Sequence, residues 1–191
     1  MRTRGAVVVW FAGALAFAAA QAEAQSPGKR VIGDLIRGQA VVVEGDIFDI
    51  GSERIRLWGI DAPHGRDWCH RSDQRWKPAA AAMHGLRTCV SGKIVACRIQ
   101  KQERSWFRLR YVAECWTDDG RDVAECMVRA GWATDYTCYS DGYYQDIETE
   151  AKNKRAGIWQ CDNGPPTRRW GRGGHGALCE RPAYKPQGPG T

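Results

Sequence analysis

An α+β fold, a five-stranded OB-type β-barrel capped by about three α-helices, is what this sequence predicts, and three observations lead there. Short β-branched or alternating segments parted by Gly- and Asp-bearing turns fill residues 38–60. Two apolar-striped helical segments, each stopped by a glycine, lie further on, and a second strand pair separates them. Hydrophobic residues make up 43% and charged residues 26% of 191, which suits one sizeable domain with appendages and excludes wholesale disorder.

The first element is not part of the barrel. Arg2 and Arg4 precede an apolar run from Ala6 to Ala20, and Ala22-Glu23-Ala24 carries the small residues that signal peptidase reads. Residues 1–24 are therefore expected to be a signal peptide. The run falls short of the ~20 apolar residues that span a bilayer, so no stable membrane anchor is expected after cleavage. The expected location is periplasmic or secreted.

The barrel domain is expected over residues 25–160. Gln39–Val43 reads as a strand, Glu44-Gly45-Asp46 as a turn, Ile47–Ile50 as a second strand and Gly51-Ser52 as a second turn. From Glu53 to Gly59, Ile55 and Leu57 alternate with Arg54, Arg56 and Trp58, and Asp61-Ala62-Pro63 ends the strand. A loop rich in charge and Trp is expected up to Lys77. Pro78 then opens a helix whose stripe is Ala79, Met83, Leu86 and Val90, and Gly92 stops it.

Lys93–Gln100 and Phe107–Trp116 read as a hairpin with Phe107, Leu109, Tyr111 and Ala113 on one face and Arg108 and Arg110 on the other. Asp122 and Glu125 form a capping-box-like start for a helix through Val123, Met127 and Ala130. A loop with Tyr136, Tyr139, Tyr143 and Tyr144 follows. The last helix, about Tyr144 to Ala156, turns Ile147 and Ala151 inward and Glu148/Lys152 and Glu150/Lys154 outward. Residues 161–191 form a basic Pro/Gly-rich tail with Arg168, Arg169 and Arg172.

Eight cysteines occur without the CxxC or HxxxH pairs of zinc sites, so disulfides with no free thiol are expected. One cysteine on each strand of the later hairpin suggests Cys97–Cys115. Lys and Arg number 28 against 22 Asp and Glu, a formal charge of +6 that favours polyanionic partners.

The densest chemical constellation is Glu44-Gly45-Asp46 with Arg56-Leu57-Trp58-Gly59-Ile60-Asp61-Ala62-Pro63 one strand later. Two carboxylates and an arginine brought together by adjacent strands offer hard oxygen ligands for Ca²⁺ or Mg²⁺ beside a fork that clamps phosphate. These two blocks, with Val128-Arg129-Ala130-Gly131-Trp132-Ala133 and Ala156-Gly157-Ile158-Trp159, resemble in order the signatures of the staphylococcal-nuclease-like (thermonuclease) family over roughly Gly38 to Gln160.

The resemblance implies an OB barrel and Ca²⁺-dependent cleavage of DNA and RNA. It matches Asp46 and Asp61 to the metal carboxylates, the Ala62 carbonyl to a backbone ligand and Arg56 to the first phosphate-binding arginine. Read back from Val112-Ala113-Glu114-Cys115, Arg110 matches the second arginine, although the family's preceding Tyr-Gly is replaced and a two-residue slip would substitute Arg108. Tyr136 and Tyr139 fall near the position where the family contacts the bound nucleotide.

His64 departs from the pattern, standing where the family has a glutamate that serves the attacking water. Three readings stay open: His64 is the base, the site is slow or inert and only binds, or Asp67 or another loop acid takes over. A noncatalytic OB-type module for nucleic acid or another polyanion, such as an acidic exopolysaccharide, is the competing function.

Overall fold

The computed structural model describes residues 30–104 and 109–167. The expected signal peptide, Phe107, Arg108, the tail arginines and Cys179 lie outside them. Five strands close into a barrel in the order β1 (Leu35–Glu44), β2 (Ile47–Ile50), β3 (Glu53–Leu57), β8 (Leu109–Thr117) and β7 (Ile94–Arg104). Every neighbouring pair is antiparallel except β3 and β8, which run parallel. This is the OB-type α+β barrel that the turns and alternation predicted.

The barrel closes over Phe48, Ile55, Leu57, Val95, Ile99 and Val112, each at most 1% exposed. Helix α1 (Ala79–Val90) adds Leu86 to this core, and α2 (Val123–Arg129) adds Met127. Asp122 caps α2, its Oδ1 accepting from the amides of Ala124 at 2.8 Å and Glu125 at 3.2 Å. Its other oxygen accepts from the Tyr144 hydroxyl at 2.9 Å. Burial nevertheless pushes the Asp122 carboxyl above its ordinary range, outweighing these hydrogen bonds.

Two of the recognised blocks meet directly. Gly131 (φ +73°) and Gly157 (φ +53°) face one another so closely that a Cβ on Gly131 would lie 2.3 Å from the Ala156 oxygen. The Ile158 amide donates to the Gly131 carbonyl at 2.8 Å, so these glycines admit a backbone-to-backbone contact that any side chain would break. The block Ala156-Gly157-Ile158-Trp159 thus enters a 3₁₀ turn, Gly157–Gln160, docked against the end of α2.

The later hairpin pairs Cys97 opposite Cys115, and the two form a disulfide as expected. Cys89–Cys126 joins α1 to α2, Cys69–Cys161 reaches across the fold, and Cys138 is also disulfide-bonded.

Several details differ from the sequence reading. β1 begins at Leu35 rather than Gln39, and β7 runs on to Arg104 past a register shift between Ile99 and Lys101. The charged, Trp-bearing stretch is not all loop: β5 (Cys69–Arg71) and β6 (Gln74–Trp76) form a hairpin about Ser72 and Asp73, both at positive φ. The tyrosine-rich loop contains β9 (Thr134–Asp135), paired with β4 (Ile60–Asp61), and a one-turn helix α3 (Thr137–Ser140). The last helix, α4, spans Gln145–Asn153, and Glu148 faces inward, where its Oε1 accepts from the Asp135 amide at 3.1 Å. Among the described residues, no helix is long and apolar enough to cross a membrane.

Candidate active site

Gly45 makes the site possible. A Cβ there would stand 2.9 Å from the Cβ atoms of both Ala62 and Ala82, so only glycine lets the β1–β2 turn press against the segment after β4. That contact carries Asp46 and Asp61 into one buried cluster. Asp46 is 0%, Asp61 1% and Arg56 6% exposed. From near the end of β3, Arg56 Nε donates to Asp46 Oδ2 at 3.1 Å and Nη2 donates to Asp61 Oδ1 at 3.2 Å. Pairing of Asp61 with Thr134 across β4 and β9 fixes the second carboxylate's backbone, and the Thr134 hydroxyl donates to the Asp61 carbonyl.

Burial opposes the guanidinium's charge, but Asp46 and Asp61 outweigh it and hold Arg56 protonated above its ordinary range. Asp46 Oδ1 is buried and accepts no hydrogen bond. An anionic oxygen with open lone pairs beside a second carboxylate suits a hard divalent cation, so the donor set fits Ca²⁺. The buried Ala62 follows directly on Asp61.

His64 sits at the edge of this cluster. Its Nδ1 lies 2.9 Å from Glu44 Oε2, and an ionised carboxylate only accepts, so this contact favours the tautomer with the proton on Nδ1. Nε2 is buried and has no hydrogen-bond partner. Glu44, Asp46 and His64 each bring a ligand atom to within 4.8 Å of one another. Asp67 is engaged otherwise: its Oδ2 accepts from the His64 amide at 2.7 Å, and its own amide donates back to the His64 carbonyl at 2.9 Å.

A second cluster forms on the β7–β8 hairpin. Arg110 Nε and Nη2 both donate to Glu103 Oε2, at 2.9 and 2.6 Å, and the Tyr139 hydroxyl donates to Glu103 Oε1 at 2.9 Å. Lys101 Nζ approaches the Tyr139 hydroxyl at 3.3 Å, and the Tyr136 and Tyr139 rings meet edge-on at 5.2 Å. Burial would raise the Glu103 carboxyl; hydrogen bonds from Arg110 and Tyr139 and the charges of Arg110 and Arg56 prevail and lower it. Burial, aided by Glu103, raises the Tyr139 phenol. The Arg56 charge felt at Glu103 links the two clusters electrostatically.

The fold thus gathers Asp46, Arg56, Asp61 and His64 in one cluster and Arg110, Tyr136 and Tyr139 in another; Arg108 lies outside the described residues. Tyr144 and Trp58 are core residues that meet edge-on, while Tyr143 is 52% exposed. Sequence reasoning missed Glu103 altogether and quoted Glu44 only as part of a motif. The signal for Glu103 was available in principle, since hairpin register sets it opposite Arg110.

A closed, mixed five-stranded barrel capped by helices defines an OB-type α+β protein, and this one buries an Asp–Arg–Asp cluster. This chain belongs to the staphylococcal nuclease homologue family, whose match covers residues 54–161, more than half of its length. The match includes Arg56, Asp61, His64 and Arg110 and begins after Asp46. The chain is 30% identical over 138 residues to an uncharacterized endonuclease of Escherichia coli, covering 69% of this chain and 82% of that one. It is also 30% identical over 132 residues to the succinoglycan biosynthesis protein ExoI of Rhizobium meliloti (strain 1021), covering 66% of this chain and 65% of the relative. A similar 30% over 118 residues links it to the probable endonuclease LCL3 of Schizophyllum commune, covering 55% and 39%. The aligned part thus spans less than two thirds of the ExoI and LCL3 relatives.

Proposed function

We propose that this protein is an exported, metal-dependent nuclease that hydrolyses phosphodiester bonds of DNA or RNA. The observation that carries this reading is Arg56 held between Asp46 and Asp61 while Asp46 Oδ1 keeps its lone pairs open. The carboxylates of Asp46 and Asp61 and the carbonyl of Ala62 would hold Ca²⁺. When bound, the ion supplies Lewis-acid polarisation of a phosphoryl oxygen. Arg56 and Arg110 clamp the scissile phosphate and stabilise its added charge in the transition state. Through Nε2, His64 takes the proton of the attacking water, and Glu44 holds the ring in the required tautomer. Tyr136, Tyr139 and Arg108 bind the flanking nucleotide. Disulfides and the signal-like residues 1–24 support an extracytoplasmic location.

The test is cleavage of single-stranded DNA by purified oxidised protein in Ca²⁺ or in chelator, with calorimetric Ca²⁺ titration of Asp61→Asn and His64→Ala. Cleavage should need the ion, and Asp61→Asn should weaken ion binding more than His64→Ala does. Equal cleavage in chelator overturns the reading.

A second reading, a noncatalytic module for nucleic acid or an acidic exopolysaccharide, draws on two observations. The family's glutamate is replaced by His64, and one relative is named for succinoglycan biosynthesis. Binding of DNA without cleavage by either the wild type or His64→Glu would favour it.

A further inference from the structure

The β5–β6 hairpin is the feature that the site above does not use. It starts at the site itself, because the paired bonds between His64 and Asp67 lock its base to the segment after β4. Its far side is anchored by Cys69–Cys161 and by the Asp162 amide, which donates to the His70 carbonyl at 2.8 Å. The hairpin is therefore held in place before any ligand arrives.

Register sorts its side chains. His70 stands opposite Arg75, and alternation puts Trp68 on that same face, while Cys69, Arg71 and Trp76 share the other. Contacts agree with this sorting: Trp68 meets His70 edge-on at 5.3 Å, and the Arg75 guanidinium lies 4.4 Å from the Trp68 ring centre. On the other face Arg71 lies 4.5 Å from the Trp76 ring centre. Trp68 remains 41% exposed. Arg66, Arg71, Arg75 and Lys77 are all exposed, and none of them pairs with a carboxylate among the described residues. Asp67, beside them, is committed to the His64 amide.

We infer that this hairpin is a second substrate-binding platform, which takes a single strand of nucleic acid as it leaves the active site on the His64 side. Trp68 and the guanidinium stacked on it offer a flat surface to an unstacked base, and the guanidinium edge donates to the neighbouring phosphate. Duplex substrate would present no base faces to Trp68, so the platform selects single strands. An arginine guanidinium 4.4 Å from the Trp68 ring centre sets a phosphate donor beside a π surface, the pairing that the alternating base and phosphate of a single strand matches. The inference rests on the reading that the substrate is nucleic acid.

The test measures binding by fluorescence anisotropy in chelator, so that the affinities do not depend on cleavage. The probes are oligothymidylates of about four and about sixteen nucleotides, the range one OB barrel covers. Trp68→Ala/Arg75→Ala should weaken the long probe by about tenfold or more, leave the short one unchanged, and flatten the salt dependence of log K by about 0.7 for the lost phosphate contact. Trp68→Phe should restore part of the loss, which a merely structural defect would not allow. Unchanged affinity for the long probe, or equal weakening of both, overturns the inference. So does a loss confined to an anionic polysaccharide offered in parallel. Absence of cleavage with this binding pattern intact would count against the nuclease reading alone.

Discussion

Replacing Arg56 by Met keeps the aliphatic stem and removes the charge, leaving Asp46 Oδ2 and Asp61 Oδ1 without their donor. Both carboxylates are essentially without solvent, at 0% and 1% exposure, so each must hold its charge without the guanidinium or take up a proton. Breaking a buried pair in this way costs about 3–5 kcal/mol. In a domain of this size that corresponds to a fall in Tm of roughly 6–20 °C. The two freed carboxylates then attract a divalent cation more strongly, because a fixed positive charge no longer faces them. At about a hundredfold excess over its Kd, Ca²⁺ should return about 2.7 kcal/mol to the variant. Urea unfolding of wild type and Arg56→Met, each in chelator and in saturating Ca²⁺, reads all four values. Nuclease activity should be lost in the variant whether or not the ion restores its stability, because phosphate clamping needs the guanidinium. A loss below about 1 kcal/mol in chelator, or an ion-induced gain no larger than that of the wild type, would refute the reasoning.

Three further outcomes are expected. His64→Gln should lower kcat by about 10²–10⁴ while moving KM little, and Glu44→Gln should cost less, since it only loosens the ring's orientation; steady-state kinetics on single-stranded DNA separates these from a binding defect. Glu103→Gln should lower kcat/KM about tenfold by releasing Arg110 and Tyr139. Its folded carboxyl lies below the unfolded value, so Glu103 adds stability above the unfolded pKa that disappears as pH falls through the folded one; acid unfolding of the variant should lack that component. Finally, Cys69→Ser/Cys161→Ser opens a loop of separation 92 that Cys89–Cys126 already shortens to roughly 56 residues, and should cost about 4 kcal/mol in thermal or urea unfolding.

What could be read from the chain follows physical scale. Barrel strands and the first two helices were legible because each must bury one face over many residues, which writes a period into the sequence. Asp46 and Arg56 were legible because the β2–β3 hairpin brings them together, and Asp61 because it follows that hairpin directly in the chain. The β5–β6 hairpin was not, since its three-residue strands are mostly polar and its anchor, Cys161, lies 92 positions from Cys69. β4 and β9 are two residues each, too short to show alternation. Glu148 read as a solvent-facing partner of Lys152 because helical spacing says nothing of an amide waiting across the fold at Asp135. The partnership of Glu103 with Arg110 depends on the register of a bulged hairpin, which composition does not reveal.

The three described bridges are concentric: Cys97–Cys115 lies inside Cys89–Cys126, which lies inside Cys69–Cys161. On the reading that the chain is exported N-terminus first into an oxidising compartment, Cys69, Cys89 and Cys97 all appear before any of their partners. Oxidation in order of appearance would join Cys69 to Cys89, so correct maturation must either wait for the barrel to close or use a disulfide isomerase to undo early errors. The same nesting governs how the folded chain meets proteases. A single backbone cut anywhere between residues 69 and 161 leaves both pieces covalently joined, so nicking becomes visible only after reduction.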